Sequence, residues 1–150
     1  MVSTLILTHA GLARELVDAA AMILGREPEF DSLSLSWTDT FEDSAAKTRE
    51  ALSKLDGAGG ILILTDMYGG TPYNVAASFH KPGEIEVVSG VNLPMVVRLG
   101  CPGVNEMEVA ELAGWIQGKA RGAICRAGEH LQEEGTSTPS TGPQPVKEDS

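Results

Sequence analysis

Apolar residues along the chain form short runs that are separated by longer stretches with helical spacing. The runs at 5–8 and 61–65 are almost wholly apolar, as the buried strands of a parallel sheet are. Another segment alternates apolar and polar side chains, which is typical of a half-buried strand. The predicted strands are 5–8, 30–37, 61–65 and 85–88, and the segment 123–126 is compatible with a last, short strand.

Helical patterns follow these runs and carry their own start and stop signals. Gly25 follows the first pattern as a C-terminal cap, and Thr71 with Pro72 is predicted as the N-cap and first helical position of a later helix. Polar residues within 38–43 offer caps for the second helix. The predicted helices are 12–24, a segment from 38–43 to about 55, 71–79, 92–99 and 105–117.

Strands that alternate with helices and are apolar on both faces indicate a parallel sheet covered on two sides. We therefore predict an α/β fold: a single-domain, doubly wound, mostly parallel sheet of order 2-1-3-4. With 150 residues and 42% hydrophobic content, the chain has room for one core. The domain is expected to span 1–131. The Pro/Ser/Thr-rich acidic segment 132–150 is expected to be a disordered tail, because it has too few apolar residues to offset its ordering entropy.

The charge of the chain narrows the classes of partner. A formal net charge of −10 and a pI near 4.6 disfavour nucleic acid and anionic membranes and predict a basic partner. No apolar run approaches the roughly 20 residues that span a bilayer, and the first residues lack a basic signal-peptide region, so a cytoplasmic location is expected. The two cysteines lack the spacing of a zinc site or disulfide framework, and neither a metal nor a cofactor is implied.

Ligands of doubly wound folds bind beyond the carboxyl ends of the strands, which here means the loops 8–11, 66–70 and 89–92. The sequence Leu-Ile-Leu-Thr leads into His9 after the first strand and into Asp66 after the third. In adjacent parallel strands of matched register, this carboxylate would lie within hydrogen-bond reach of the imidazole. It would then fix the tautomer and leave the other ring nitrogen as a nucleophile.

A phosphoryl group on His9 fits the predicted surroundings of that residue. It would lie at the N-terminus of the helix that begins near Leu12, where unpaired N–H groups and the helix dipole favour an anion. Gly69 and Gly70 allow the backbone to approach closely, and Thr71 adds a hydroxyl at the start of another helix.

Segments on these three loops resemble a known family. LTHAGLARELVDAA is similar to the histidine loop of mannose-family IIA proteins of bacterial sugar phosphotransferase systems (PTS), DMYGGTPYN to their DxWGGSPFN-type segment, and GVNLPM to a third family loop. The resemblance covers about 2–132. It implies that His9 is phosphorylated, that Asp66 orients it and that Thr71 lies near the phosphate. Tyr68 replaces a frequent tryptophan, and Ala10 replaces the usual glycine beside the histidine.

The resemblance also implies partners. The phosphocarrier HPr would be the donor, a IIB component the acceptor, and the membrane IIC/IID complex an indirect partner. The family forms homodimers by exchanging a C-terminal strand, which 123–126 would supply as an antiparallel strand at the edge of the sheet. The candidate phosphate- and partner-binding residues are Thr8, Ala10, Gly11, Tyr68, Gly69, Gly70, Thr71 and Asn92.

The leading hypothesis is therefore a phosphoryl carrier, and its alternative is a phosphorylation-dependent regulatory module that is not coupled to sugar transport. A donor to dihydroxyacetone kinase is a related possibility, which the GGTP stretch disfavours. A flavodoxin-like binder would need a Ser/Thr-rich first loop, which this chain lacks. His80 is interpreted as a surface residue, and Trp37 and Trp115 as core or dimer-interface anchors.

Overall fold

A computed structural model describes residues 1–129 and 131, so the tail predicted at 132–150 lies outside the described residues. Strands and helices alternate along the chain as the apolar pattern predicts. The strands are β1 (Ser3–His9), β2 (Phe30–Leu35), β3 (Ile61–Thr65) and β4 (Ile85–Ser89). The helices are α1 (Leu12–Leu24), α2 (Phe41–Ser53), α3 (Thr71–Ser78), α4 (Leu93–Leu99) and α5 (Val109–Gly122), with one 3₁₀ turn at Val104–Glu106.

The four strands form one parallel sheet of order β2-β1-β3-β4. This confirms the predicted doubly wound α/β fold and its strand order. The order reverses between β1 and β3, because the chain leaves β1 towards β2 on one side and later returns to β3 on the other. That reversal opens a crevice at the carboxyl ends of the two central strands, where ligands of such folds bind.

Two apolar layers cover the sheet, one on each face. Alternate residues of the central strands point to opposite sides, so Ile6 and Leu62 belong to one buried cluster and Leu7 and Ile63 to the other. Helices α1, α4 and α5 close the first layer, and α2 and α3 close the second. Within the described residues, no helix is long and apolar enough to cross a membrane.

Two predicted helix starts are wrong, by one residue for α3 and by a few residues for α5. Helix α3 has Gly70 as its N-cap, since the Asn74 N–H donates to the Gly70 carbonyl, and Thr71 is already the first helical residue. Helix α5 begins at Val109 rather than near Asn105. The Asn105 carbonyl instead accepts the Val2 N–H at 2.7 Å, which ties this segment to the start of β1.

The possible strand at 123–126 does not form in the single chain. A segment becomes a strand only where its N–H and C=O groups pair with a neighbouring strand. Here the Ala123 N–H donates to carbonyls in the last turn of α5, and the Ile124 N–H donates to that of Arg121. The exchange of this segment within a dimer stays a prediction.

The two tryptophans differ in their surroundings. Trp115 is partly buried and packs against the core, in agreement with its apolar pattern. Trp37 lies beyond the end of β2 and is 95% exposed, so the core position considered for it is wrong. The alternation of β2 stops at Leu35, and the loop that follows carries Trp37 away from the sheet.

Candidate active site

His9 is the last residue of β1 and lies at the crevice between the two halves of the sheet. It is level with Leu35 of β2, and the next residue, Ala10, donates its N–H to the Leu35 carbonyl at 3.2 Å. The His9 side chain is 43% exposed. The backbone of this histidine is therefore fixed by the sheet, while part of its ring is open to solvent.

The Asp66 carboxylate holds His9 through two hydrogen bonds. Its Oδ2 accepts the backbone N–H of His9 at 2.9 Å and lies 2.8 Å from Nδ1 of the ring. The predicted contact between the two side chains is confirmed. The predicted register is wrong by one residue, because Leu5 pairs with Ile63 rather than with Leu62. Asp66 is thus level with Thr8, and from there its carboxylate reaches both the backbone and the ring of His9.

The ionisation of Asp66 decides which ring nitrogen carries the proton. Burial raises the pKa of this carboxyl, but hydrogen bonds from the His9 backbone and ring outweigh that effect and hold the pKa below its ordinary value. An ionised carboxylate has only acceptor oxygens, so Nδ1 must donate to it. The lone pair on Nε2 is then left free at the outer side of the ring.

Gly70 brings the β3–α3 loop against the free side of the ring. A Cβ atom at this position would lie 2.9 Å from Cε1 and 3.4 Å from Nε2 of His9. Gly69 has a φ of 81°, in the left-handed region that favours glycine. The Gly70 N–H closes the turn by donating to the Met67 carbonyl at 3.1 Å. A side chain is therefore disfavoured at both positions: at Gly70 because of the close contact with the ring, and at Gly69 because of the backbone conformation.

The other first-loop candidates shape the start of α1. The Thr8 hydroxyl is fully buried and accepts the Ala13 N–H at 2.8 Å, so it caps the helix from the end of the strand. Ala10 has a φ of 48°, which is strained for any residue with a Cβ and explains why glycine is usual there. Gly11 is the N-cap of α1. These residues aim the first turn of the helix at the crevice.

The remaining candidates differ in how free their side chains are. Thr71 is exposed in the first turn of α3. Tyr68 is also exposed, and its ring centroid lies 4.8 Å from that of Tyr73. Asn92 caps α4 by accepting the Met95 N–H, and its amide donates to the Ala120 carbonyl. Both polar ends of Asn92 thus hold the fold together, and its phosphate-binding role stays a prediction.

The arrangement has the features of a site for covalent transfer of an anionic group. An oriented imidazole with a free Nε2 lies where α1 and α3 begin, and helix N-termini favour negative charge. Among residues 1–129 and 131, no group of three or more His, Cys, Asp or Glu side chains is arranged to hold a metal ion. His9, Asp66 and the first turns of the two helices all lie on or beside loops that the sequence singled out.

Comparison with known proteins identifies the family. Residues 3–113 match the sequence model of the PTS system fructose IIA component family. The mannose-specific EIIAB component of Escherichia coli is 35% identical over 92 residues, which cover 61% of this chain but only 28% of that protein. The sorbose-specific EIIA component of Lacticaseibacillus casei is 30% identical over 109 residues, 72% of this chain and 78% of that protein.

A solved structure agrees with these matches. The mannose/sorbose-specific IIA subunit from Enterococcus faecalis superposes with a TM-score of 0.75 and 27% identity, and the match covers 83% of this chain and 92% of that one. The fold, the matched segment and the named relatives all agree with the same family. The chain belongs to the PTS fructose IIA component family, which includes the mannose and sorbose types.

Proposed function

We propose that this protein is a phosphoryl carrier of a sugar phosphotransferase system, and that it carries the group on Nε2 of His9. The Nε2 lone pair attacks the phosphorus of a phosphorylated donor, a new N–P bond forms, and the donor's own bond to phosphorus breaks. The donor residue leaves with that electron pair. The proton on Nδ1 stays in the hydrogen bond to Asp66, so no proton has to move before the attack.

Catalysis in this proposal consists of positioning and electrostatics. As Nε2 forms its bond to phosphorus, positive charge develops on the ring, and the ionised Asp66 stabilises it. The first turns of α1 and α3 face the transferred group with backbone N–H groups, which favour its negative charge. The hydroxyl of Thr71 lies in the second of these turns, which supports its predicted role beside the phosphate.

Membership in the family supports a direction of transfer. We propose a phospho-HPr protein as the donor and a IIB protein as the acceptor, with the membrane IIC/IID complex as an indirect partner. The E. coli relative is named an EIIAB component, whereas the described part of this chain forms one IIA-type domain. The acceptor is therefore proposed to be a separate IIB domain or protein.

The observation that carries this proposal is the 2.8 Å contact between Nδ1 of His9 and Asp66, and labelling tests it. Incubation with phosphoenolpyruvate, enzyme I and HPr is expected to add one phosphoryl group, labile in acid and stable in base. His9→Ala should abolish it. His80→Ala is a matched control, because His80 also faces a carboxylate, 3.1 Å from Glu86, but lies outside the crevice. Full labelling of His9→Ala would disprove the site.

The orienting role of Asp66 has its own test. In Asp66→Asn, the negative charge that favours the proton on Nδ1 and stabilises the developing imidazolium is lost. The amide NH₂ also cannot accept a backbone N–H as the carboxylate oxygens do from His9 and Met67, so the ring is less firmly oriented. The rate of phosphorylation by phospho-HPr is expected to fall about 10²-fold or more. An unchanged rate, with the fold intact by circular dichroism, would mean that the carboxylate does not select the tautomer.

Transfer onward separates the carrier from the regulatory module. The phosphorylated protein should lose its phosphoryl group when a mannose-family IIB protein is added, and the IIB protein should gain it. The phosphoryl carrier and the regulatory module would both be phosphorylated on His9, so only transfer to the IIB protein distinguishes the two functions. Retention of the label over the whole time course would favour the regulatory module.

A further inference from the structure

Five large apolar side chains are exposed around the crevice, although most others of their kind in the described part of the chain are buried or partly buried. We define them as the apolar rim. Trp37 is 95% exposed, Tyr68 76% and Met67 58%, and two further members are about half exposed. The apolar rim consists of Leu12, Trp37, Phe41, Met67 and Tyr68.

All members of the apolar rim lie at the carboxyl edge of the sheet, on the loops and first turns that surround His9. Leu12 is the first residue of α1 and Phe41 the first of α2, and two members belong to the β3–α3 loop. Trp37 follows Leu35 by two residues, and Leu35 is level with His9 in the sheet. Two residues span at most about 7 Å and neighbouring strands lie about 5 Å apart, so the backbone of Trp37 lies within about 12 Å of that of His9.

An exposed tryptophan in this place is unusual for a residue that has only a structural role. Large aromatic side chains dominate the binding energy of protein interfaces, and contiguous exposed apolar surface marks such interfaces. The other tryptophan, Trp115, packs against the core. The structure gives Trp37 no such packing, so its apolar surface is available to a partner.

Charge indicates the chemistry of that partner. The segment that carries Trp37 and Phe41 also carries Asp39, Glu42 and Asp43. Lys47 neutralises one of these carboxylates through its 2.6 Å ion pair with Asp39. The loop therefore presents aromatic surface with an excess of negative charge, which is complementary to an apolar patch bordered by basic residues.

We propose that the apolar rim, with Trp37 as its main anchor, is the docking surface for the phosphocarrier that exchanges phosphate with His9. The partner is a protein with an apolar patch bordered by lysine or arginine around its own phosphorylated residue. The proposal rests on the proposed function, because direct transfer requires the partner to cover His9. It adds the β2–α2 loop, which belongs to none of the three phosphate-site loops, as a recognition element.

A kinetic experiment with HPr as the probe tests this docking surface. In Trp37→Ala, the KM for phospho-HPr is expected to rise about tenfold or more with little change in kcat, because a typical interface anchor contributes that much binding energy. Met22→Ala is the matched control. Met22 is 86% exposed, but it lies near the C-terminal end of α1, away from the crevice. The KM of the Met22 variant should equal that of the wild type.

Fluorescence provides a second readout that does not depend on chemistry. In a Trp115→Phe background, Trp37 is the remaining tryptophan of the chain, and its emission should shift to shorter wavelength when HPr is added. The same shift is expected in His9→Gln, which docks without accepting phosphate. High salt should weaken the shift if basic residues of HPr face this acidic loop.

The outcomes separate the two proposals. If the wild type is phosphorylated but Trp37→Ala has an unchanged KM and HPr leaves the emission of Trp37 unchanged, the docking surface is wrong and the carrier function stands. If the KM rises equally in Trp37→Ala and Met22→Ala, the effect is not specific to the apolar rim, and the docking proposal is again overturned. If the wild type accepts no phosphate, the carrier function itself fails.

Discussion

Gly70 determines how closely the β3–α3 loop approaches the His9 ring. The absence of a side chain lets the loop backbone lie where a Cβ atom would be 2.9 Å from Cε1 of the imidazole. A contact that short forces either the ring or the loop to move. Since Asp66 holds the ring from the other side, a displacement would lengthen the hydrogen bond that orients Nε2.

We therefore predict that Gly70→Ala slows phosphorylation by phospho-HPr about 10- to 100-fold, since small displacements of reacting groups cost rates of this order. Circular dichroism should show an intact fold. Gly118→Ala is the control, because a Cβ atom at this helical position meets nothing within 4 Å and the site is far along α5. Equal rates in the two variants would show that the close approach at Gly70 has no role in transfer.

Asp66 also links stability to pH. Its folded-state pKa lies below the ordinary value of 3.8, so the folded protein favours the ionised carboxylate. The resulting stabilisation is fully present above about pH 4 and is lost as the pH falls through the lowered pKa. The free energy of unfolding therefore decreases as the pH falls, because the hydrogen bonds that favour the ionised carboxylate exist only in the folded state.

We predict that Asp66→Asn lowers the free energy of unfolding by about 1–2 kcal/mol at pH 7 and that this difference shrinks in acid, below about pH 4. Urea unfolding of both proteins across this pH range measures it. Asp31→Asn, a change at an exposed position of β2, should alter stability little at any pH. A difference for Asp66→Asn that stays constant down to pH 2 would contradict the linkage.

At the scale of elements, the two central strands each carry a threonine near the carboxyl end, and the two threonines have opposite roles. Thr8 and Thr65 are both fully buried at the carboxyl ends of their strands. The Thr8 hydroxyl accepts the Ala13 N–H and so caps α1. The Thr65 hydroxyl has no hydrogen-bond partner among the described residues. One hydroxyl thus orients a helix towards the site, whereas the other costs desolvation energy without a compensating bond.

The same substitution should therefore have opposite effects at the two strand ends. Thr65→Val is expected to raise the free energy of unfolding by about 1 kcal/mol, because it removes an unpaired buried hydroxyl and keeps the shape of the side chain. Thr8→Val is expected to lower it by about 1–2 kcal/mol, because the Ala13 N–H loses its partner. Chemical denaturation measures both. Effects of the same sign would contradict the assigned hydrogen bonding.

At the scale of the whole molecule, β4 leaves one edge of the sheet open beyond its first residue, within the described part of the chain. It pairs with β3 on one side, and on its other side Ile85 forms an isolated bridge with Lys81. An open edge offers backbone N–H and C=O groups to another chain. Ile124, in the segment proposed for strand exchange, is 77% exposed and lacks apolar packing in the single chain. These features support the proposed homodimer.

We predict that the protein sediments as a dimer of 15.8 kDa chains and that Ile124→Asp shifts it to the monomer, because a charge would be buried at the exchanged strand. Analytical ultracentrifugation distinguishes the two states. Ile23→Asp, a control at a 60% exposed position of α1, should leave the dimer intact. A wild-type protein that is monomeric at all concentrations tested would disprove the exchange.

The amino-acid sequence by itself determined the alternation of strands and helices and the loops that carry the candidate site. These features follow from local patterns: apolar runs for strands, helical spacing for helices, and Gly25 or Asn92 at helix ends. The candidate residues followed as well, because His9 and Asp66 each lie at the carboxyl end of a central strand.

Only the tertiary structure decided the one-residue shift between β1 and β3, the ring nitrogen that keeps the proton, the position of Gly70 as N-cap of α3 and the exposure of Trp37. Each depends on contacts between distant parts of the chain. His9 and Asp66 are 57 residues apart, and no local pattern specifies which strand atoms pair or which oxygen a ring faces. Local propensity selects the elements, whereas packing of the assembled sheet sets the register and with it the chemistry of the imidazole.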